Sequence, residues 1–321
     1  MSLLWCLCVS SASSNLTRAV PDNSATAAST MTFVAIQLHL PYTQTVTVNT
    51  DSLAVTVDMA PQVPQPNYRR RAGMITVGSR MYSIGAYESP DSKGVEMYAN
   101  GRWTIQKPTN ESRQSAVVGY LPHIGRLFAC GCMYVADACS KTCEFRHEAS
   151  DSTWSTQHLP DGECIFVAAG VVYNDKIWIS GGYDCLYNPL TRLMSFDGST
   201  WTNHSPMRHT RATHAMAVNG DRLVVCGGHD EGGYLSSCDQ YVAATDVWLD
   251  MPSMTQAVDH ISMFPFGDGR LVMFGGYLTG SNFNKHVDVF DKIKWFVAPG
   301  SNAVLKNRGG VPFGAILLPS N

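Results

Sequence analysis

Two cysteines and a histidine lie close together in the chain, at Cys139, Cys143 and His147. Thiolates and an imidazole at this spacing are ligand types that zinc prefers. A structural zinc site takes four ligands, however, and a second half of the motif is missing. Three interpretations of the cluster therefore stay open: a zinc site, a disulfide, or free thiols.

The histidines offer little further metal chemistry. The chain has ten of them, and His209 and His214 lie five residues apart across the start of a predicted strand. No pair of histidines has a metal-ligand spacing with a nearby acid, and we interpret His214 as a packed residue beside Trp201. No spacing supports a nucleophile with its base. We therefore expect a chain without enzymatic activity, metal or cofactor.

Arginines and ring-bearing residues recur at related places. Arg113 and Arg211 each follow a tryptophan by ten residues. The candidate binding set combines arginines that precede a predicted strand with residues that follow a recurring glycine or glycine pair, which we call a glycine station. Its members are Arg71, Arg113, Arg211, Arg308, Tyr87, Tyr183, His229 and Tyr277. Aromatic surfaces beside guanidinium groups suit carboxylate or phosphate groups on an extended peptide.

A repeat of about 47 residues must position these side chains. The tryptophans keep spacings of 51, 47, 47 and 47 residues, at Trp103, Trp154, Trp201, Trp248 and Trp295. A glycine station precedes each of them, at Gly85, Gly131, Gly181–Gly182, Gly227–Gly228 and Gly275–Gly276. Two independent landmarks with one period indicate a stacked supersecondary unit.

The chemistry of the unit predicts four antiparallel strands. The runs 223–226 and 271–274 are short and apolar, as strands buried on both faces are. The turns before them, 219–222 and 267–270, have hairpin chemistry. One such sheet cannot cover its own faces, whereas a ring of sheets can, with the Tyr and Trp side chains packed between neighbours.

A glycine pair followed by Tyr or Phe and then Trp is similar to the Kelch repeat, and residues 69–299 resemble five Kelch blades in succession. Blades 3 to 5 carry the motif most fully, with the pairs Phe196/Trp201, Tyr241/Trp248 and Phe290/Trp295. Blade 1 keeps Tyr98 and Trp103 but has Ala86 for the second glycine. Blade 2 diverges most, with Cys132 for a glycine. The resemblance implies an all-β fold, a Kelch-type β-propeller.

The two ends of the chain supply the pieces of one more blade. Residues 32–60 contain three strand-like runs, and residues 311–318 form one further apolar run. We therefore expect six four-stranded blades, with one blade shared between the termini. Residues 1–31, rich in Ser, Ala and Thr, are interpreted as a disordered or processed leader, and residues 32–321 as the propeller domain.

Strand order predicts where binding occurs. If the strands alternate in direction from the inside outwards, the loops between the second and third strands and the loops between blades open on one face. We expect this face to bind a peptide segment of a partner protein, such as an acidic one, through the Arg and Tyr side chains. The alternative interpretation is that these residues belong to the framework of the repeat.

The resemblance also implies other functions. Kelch repeats occur in substrate adaptors of cullin ubiquitin ligases and in actin-associated proteins, and this chain could be a recognition fragment of one. Familiar adaptors carry BTB and BACK domains ahead of the propeller, and only about thirty residues precede the first strand run here. A copper oxidase of the galactose oxidase type, with Tyr and His ligands, is the enzyme alternative.

Bulk properties narrow the partners and the compartment. A formal net charge of −3 gives no argument for nucleic acid or an anionic membrane, and we expect neither. Six cysteines lie in or beside predicted strands, where we interpret them as small buried hydrophobes of a cytoplasmic chain: Cys130, Cys132, Cys164, Cys185, Cys226 and Cys238. Secretion is the alternative, because residues 3–9 resemble the core of a signal peptide.

Overall fold

The computed structural model describes residues 30–37, 42–64, 72–85, 92–131, 141–149, 152–160, 164–266, 268–278, 282–300 and 312–317. These residues form six four-stranded antiparallel sheets, which are the blades of a propeller. The all-β, six-bladed Kelch-type fold predicted from the repeats is confirmed. No helix within the described ranges is long and apolar enough to cross a membrane.

The closing blade is built from both ends of the chain, as predicted. Its strands are β1 (Thr30–Gln37), β2 (Tyr42–Asn49), β3 (Val55–Pro64) and β28 (Pro312–Leu317). Strand β28 pairs antiparallel with β1 and takes the first place in the sheet. Both free edges of an open ring are thereby replaced by hydrogen-bonded pairs. Of the expected leader, Thr30 and Met31 belong to β1, and residues 1–29 lie outside the described residues.

The five remaining blades follow one another along the chain, and we call the strands of each blade a, b, c and d. Blade 1 contains β4 (Gly73–Val77), β5 (Arg80–Ile84), β6 (Val95–Ala99) and β7 (Arg102–Ile105). Blade 2 contains β8 (Val117–Leu121), β9 (Arg126–Cys130), β10 (Thr142–His147) and β11 (Ser155–His158), with a 3-10 turn at Pro122–Ile124. Blade 3 contains β12 (Ala169–Tyr173), β13 (Lys176–Ser180), β14 (Leu193–Phe196) and β15 (Trp201–Asn203).

Blades 4 and 5 each carry an extra ribbon in the loop between strands b and c. Blade 4 contains β16 (Ala215–Asn219), β17 (Arg222–Cys226), β20 (Cys238–Val242) and β21 (Val247–Met251), and its ribbon is β18 (His229–Asp230) and β19 (Gly233–Tyr234). Blade 5 contains β22 (Ser262–Pro265), β23 (Leu271–Phe274), β26 (Val287–Phe290) and β27 (Trp295–Val297), and its ribbon is β24 (Tyr277–Leu278) and β25 (Asn282–Phe283).

The core lies between neighbouring sheets, where the predicted aromatic pairs pack. Tyr241 of strand c lies directly opposite Trp248 of strand d, with ring centroids 5.1 Å apart. Both rings are buried among residues of blades 3 and 4. The Trp248 indole N–H donates to the carbonyl of Ser205 in blade 3 at 2.8 Å. The tryptophan therefore ties its own blade to the preceding one by packing and by a hydrogen bond.

The glycine pair permits close contact between blades. Gly227 has φ of +65°, and a Cβ placed there would lie 2.5 Å from the carbonyl oxygen of Val258 in blade 5. Gly228 has φ of +89°, and its N–H donates to the same carbonyl at 2.9 Å. A side chain at Gly227 would collide with the next blade, which is why the repeat requires glycine at this position.

Candidate functional site

The loops between strands b and c and the loops between blades meet at one surface. Isolated β-bridges join the residue after each glycine pair to a residue of the loop that precedes strand a: Phe166 with Tyr183, Ala212 with His229, and Asp259 with Tyr277. We call the surface formed by these six residues the mouth. It belongs to blades 3, 4 and 5.

The mouth contains a connected group of aromatic side chains in blades 3 and 4. The Tyr183 hydroxyl lies 3.1 Å from Nδ1 of His229, so the two blades share a hydrogen bond across the surface. Phe166 packs against Tyr183, with ring centroids 5.2 Å apart, and against Tyr187 at 5.1 Å. Tyr234 of the blade 4 ribbon packs edge-on against His229 at 5.9 Å. Aromatic surfaces of this kind bind backbone and side chains of extended peptides.

Residues next to the mouth form an inner ring with unusual backbone geometry. Ser115, Val167, Thr213 and His260 occupy equivalent positions in blades 2 to 5, and all have φ between +53° and +56°. The N–H of His260 donates to the Thr213 carbonyl at 2.8 Å, and the N–H of Thr213 donates to the Val167 carbonyl at 3.1 Å. These bonds between blades hold the left-handed conformation, which is costly for Val and Thr. The ring makes the base of the mouth rigid.

Arg113 is a framework residue, which corrects its predicted role as a ligand-binding group. Its side chain is fully buried and forms an ion pair with Glu144 at 2.7 Å. Its guanidinium also donates to the Thr142 carbonyl at 2.8 Å and to the Gly131 carbonyl at 3.3 Å. Glu144, Thr142 and Gly131 all lie in blade 2, so the Arg113 side chain holds the stem of its own b–c loop.

Arg211 has the same role in blade 4 and needs the same correction. It is fully buried and forms an ion pair with Asp239 at 2.8 Å. It also donates to the carbonyls of Gly227 and Ser237, at 2.9 and 3.1 Å. Burial lowers the pKa of Arg211 from its usual value, and the charge of Asp239 opposes that shift. The alternative interpretation, a framework feature of the repeat, describes both arginines.

Blades 3 and 5 lack an arginine at this position. Ile165 in blade 3 and Val258 in blade 5 occupy the arginine position. Their carbonyls lie against a glycine of the preceding blade, as the carbonyls of Arg113 and Arg211 do. In blade 5, Asp288 occupies the position that Asp239 has in blade 4, and its side chain is buried. Burial raises the pKa of Asp288, and a hydrogen bond from Thr255 works in the opposite direction.

Three of the candidate residues lie outside the described residues: Arg71, Tyr87 and Arg308. Of the rest, Tyr183, His229 and Tyr277 lie at the mouth, and Arg113 and Arg211 are buried in blades 2 and 4. Phe166, Tyr187 and Tyr234 were missed by sequence reasoning. Phe166 and Tyr234 pair with the post-glycine residues Tyr183 and His229, and the sequence does not show these pairings.

Five of the six strand cysteines are paired, which corrects their interpretation as free hydrophobes, and the sixth, Cys132, lies outside the described residues. Cys226 ends strand b of blade 4 and lies directly opposite Cys238, the first residue of strand c, and the two form a disulfide. Cys130 and Cys143 form the equivalent disulfide in blade 2. The antiparallel register of strands b and c places each pair face to face. A third disulfide joins Cys164 to Cys185.

The zinc hypothesis for Cys139, Cys143 and His147 is therefore wrong. Cys143 is bonded to Cys130, so its sulfur is not available as a thiolate ligand. His147 accepts a hydrogen bond from the Arg126 guanidinium at 3.3 Å, and Cys139 lies outside the described residues. In the part of the chain that the structure describes, no group of three or more His, Cys, Asp or Glu side chains could hold a metal ion.

His214 is buried, as the sequence predicted, and its hydrogen-bond partner is Ser180 rather than the predicted neighbour Trp201. Its Nε2 lies 2.7 Å from the Ser180 hydroxyl of blade 3. Burial, together with the charge of Arg211, lowers the pKa of His214 to about 3. The imidazole is therefore neutral near neutral pH and serves as a buried hydrogen-bonding group between blades.

Six blades of this construction define the chain as a six-bladed β-propeller whose blades resemble the Kelch repeat. The Kelch motif model matches residues 210–255, which carry the glycine pair, Tyr241 and Trp248. The resemblance inferred from the repeats is thus confirmed.

Relatives and solved structures agree with this class. Kelch-like protein 36 from Bos taurus is 30% identical over 141 residues, which cover 40% of this chain and 22% of that protein. Beta-scruin from Limulus polyphemus is 30% identical over 140 residues, covering 39% of this chain and 14% of that protein. A solved structure of YjhT aligns with a TM-score of 0.66 at 12% identity, covering 82% of this chain and 97% of that one. At that identity the likeness to YjhT shows the fold alone.

Proposed function

We propose that the chain is a non-enzymatic protein-interaction module that binds a peptide segment of a partner protein at the mouth. Its relatives are Kelch-like proteins and beta-scruin, and only part of each is matched. The support for a binding role at this surface comes from the geometry of the mouth and its loops.

The observation that carries the proposal is a rigid loop with an exposed apolar tip. Leu186 and Tyr187, in the b–c loop of blade 3, are 80% and 49% exposed. The Asp184 carboxylate accepts hydrogen bonds from the backbone N–H groups of Leu186 and Asn188, at 2.8 and 2.9 Å. These hydrogen bonds fix the loop, as does the Cys164–Cys185 disulfide.

A rigid, exposed pair of large side chains favours binding. The backbone of the loop loses little conformational freedom when a partner covers Leu186 and Tyr187, because it is already ordered. Tyr is also enriched among the residues that dominate binding energy at protein interfaces. Tyr187 contacts Phe166 of the mouth, so a partner segment that covers the tip would continue onto the aromatic surface.

A peptide-display selection on the immobilised protein tests the proposal. A Leu186→Ser/Tyr187→Ser double variant should lose most of the enrichment that the unchanged protein gives. Ile293→Ser is the matched control, since Ile293 is 77% exposed in a c–d turn at the opposite ends of the strands. Equal enrichment on the double variant and the unchanged protein would show that the peptides bind at another surface.

A further inference from the structure

Within the described residues, the mouth lacks the positive charge that Arg211 was expected to supply. Arg211 is buried against Asp239, and Arg208 of the same loop is paired with Asp250. In the described b–c and d–a loops of blades 3 to 5, the remaining cations are Arg192 and Lys285. The acidic side chains of those loops outnumber them: Asp184, Asp230, Glu231 and Asp259. An acidic peptide would meet a net negative surface here.

Asp259 has an unsatisfied carboxylate oxygen at the mouth. Its side chain is 6% exposed, and its Oδ2 lies 2.8 Å from Nδ1 of His260. Its Oδ1 is buried and has no hydrogen-bond partner among the described residues. A buried polar atom without a partner is costly, so a donor brought by a ligand would remove that cost.

The position of Asp259 is fixed by its backbone. Its N–H donates to the Tyr277 carbonyl at 3.2 Å, and the Tyr277 N–H donates to the Asp259 carbonyl at 3.0 Å. The left-handed turn at His260 follows directly. The carboxylate is therefore held in place before any ligand arrives, which lowers the entropy lost on binding.

Two tyrosines lie near this carboxylate. Tyr277 packs edge-on against His260, with ring centroids 5.5 Å apart. Burial raises the pKa of Tyr234, and the nearby charge of Asp259 adds to this shift. Aromatic faces beside a carboxylate attract cations through the ring quadrupole.

We propose that the mouth binds an arginine side chain of the partner segment, with its guanidinium paired to Asp259 between Tyr234 and Tyr277. This inference rests on the proposed peptide-binding function. Arginine fits better than lysine, because a planar guanidinium donates two parallel hydrogen bonds to a carboxylate and also stacks on aromatic rings. Blades 2 and 4 satisfy their buried carboxylates with arginines of this chain, Arg113 and Arg211.

Three display libraries, each randomised around one fixed central residue, test the inference on the full chain. The fixed residue is Arg, Gln or Glu. We expect the Arg library to be enriched roughly 30-fold or more over the Gln library, because this is the gain expected from pairing a desolvated charge. We expect no enrichment of the Glu library. Asp259→Asn should abolish the preference for Arg, and Asp221→Asn, in the exposed a–b turn of blade 4, should not change it.

A second variant tests the arginine inference if Asp259→Asn fails to fold. Tyr234→Leu removes an aromatic face without touching the Asp259–His260 pair and should lower Arg enrichment several-fold. Enrichment of all three libraries alike, lost in the Leu186→Ser/Tyr187→Ser variant, would overturn the arginine inference and leave the peptide-binding function standing. Preference for the Glu library would overturn it as well. No enrichment of any library would contradict both proposals.

Discussion

Arg211 and Asp239 form an ion pair at 2.8 Å inside blade 4, with side chains 0% and 3% exposed. The carbonyls that Arg211 also binds belong to Gly227 and Ser237. Each of these residues is the immediate neighbour of a cysteine of the Cys226–Cys238 disulfide. One guanidinium and one disulfide therefore fix the two stems of a loop that carries His229 and Tyr234 to the mouth.

Removing the Arg211 side chain should strongly destabilise the fold. Arg211→Ala leaves Asp239 buried and unpaired, and we expect a loss of about 3–5 kcal/mol in the free energy of unfolding, measured by urea denaturation. Arg208→Ala is the control, because Arg208 is paired at the surface and should change stability little. If Arg211→Ala were as stable as the control, the framework role assigned to Arg211 would be wrong.

His214 should make stability fall as the pH falls. Its folded pKa is lowered to about 3, so only the unfolded chain takes up the proton between its ordinary pKa of 6.5 and that value. Within this window the free energy of unfolding should decrease by up to about 1.4 kcal/mol per pH unit from this residue, and above it His214 should contribute no dependence.

The variant His214→Gln should reduce this acid dependence, and His209→Gln, at an exposed position, should keep it. The measurement is urea denaturation of the three proteins at several pH values from 7 to 4. Identical pH profiles for the unchanged protein and His214→Gln would show that the imidazole is not buried as the structure places it.

The three disulfides should be present in the purified protein. Alkylation of the unfolded chain before and after reduction, followed by mass spectrometry, should show six additional thiols after reduction. The Cys226→Ala/Cys238→Ala variant should lose about 2–4 kcal/mol of stability. Full alkylation of all ten cysteines without reduction would contradict the pairing.

The disulfide bonds also bear on the cellular compartment in which the protein is expected. The expectation of a cytoplasmic chain rested on strand cysteines without disulfides, and disulfides persist mainly in oxidising compartments. The same alkylation on protein from a cytosolic and a secretory expression host would therefore separate the two interpretations. Paired cysteines from both hosts would show that the fold itself protects them.

Strand β28 should be needed to close the ring. A truncation that removes residues 311–321 exposes the edge of β1 and should lower the melting temperature by several degrees. A truncation that removes only residues 318–321 is the control and leaves β28 complete. Equal melting temperatures for the two truncations would contradict closure by a shared blade.

The sequence predicted the fold well because each blade repeats its own packing signals. Trp248 and Gly227 recur in the chain, since every blade needs a ring between sheets and a close backbone contact. Arg211 misled the prediction, because its partner Asp239 lies 28 residues away and only the register of strands b and c brings them together. The same register explains the paired cysteines. It had to be known before Cys226 and Cys238 could be recognised as opposite residues.

Site-specific photo-crosslinking measures whether a partner segment lies on the mouth. A benzophenone amino acid replaces Tyr187 at the mouth or Ile293 at the opposite ends of the strands, both exposed positions. The probe is the most enriched peptide from the display selection. We predict that this peptide crosslinks at position 187 and not at position 293. Crosslinking at position 293 without crosslinking at position 187 would contradict the claim.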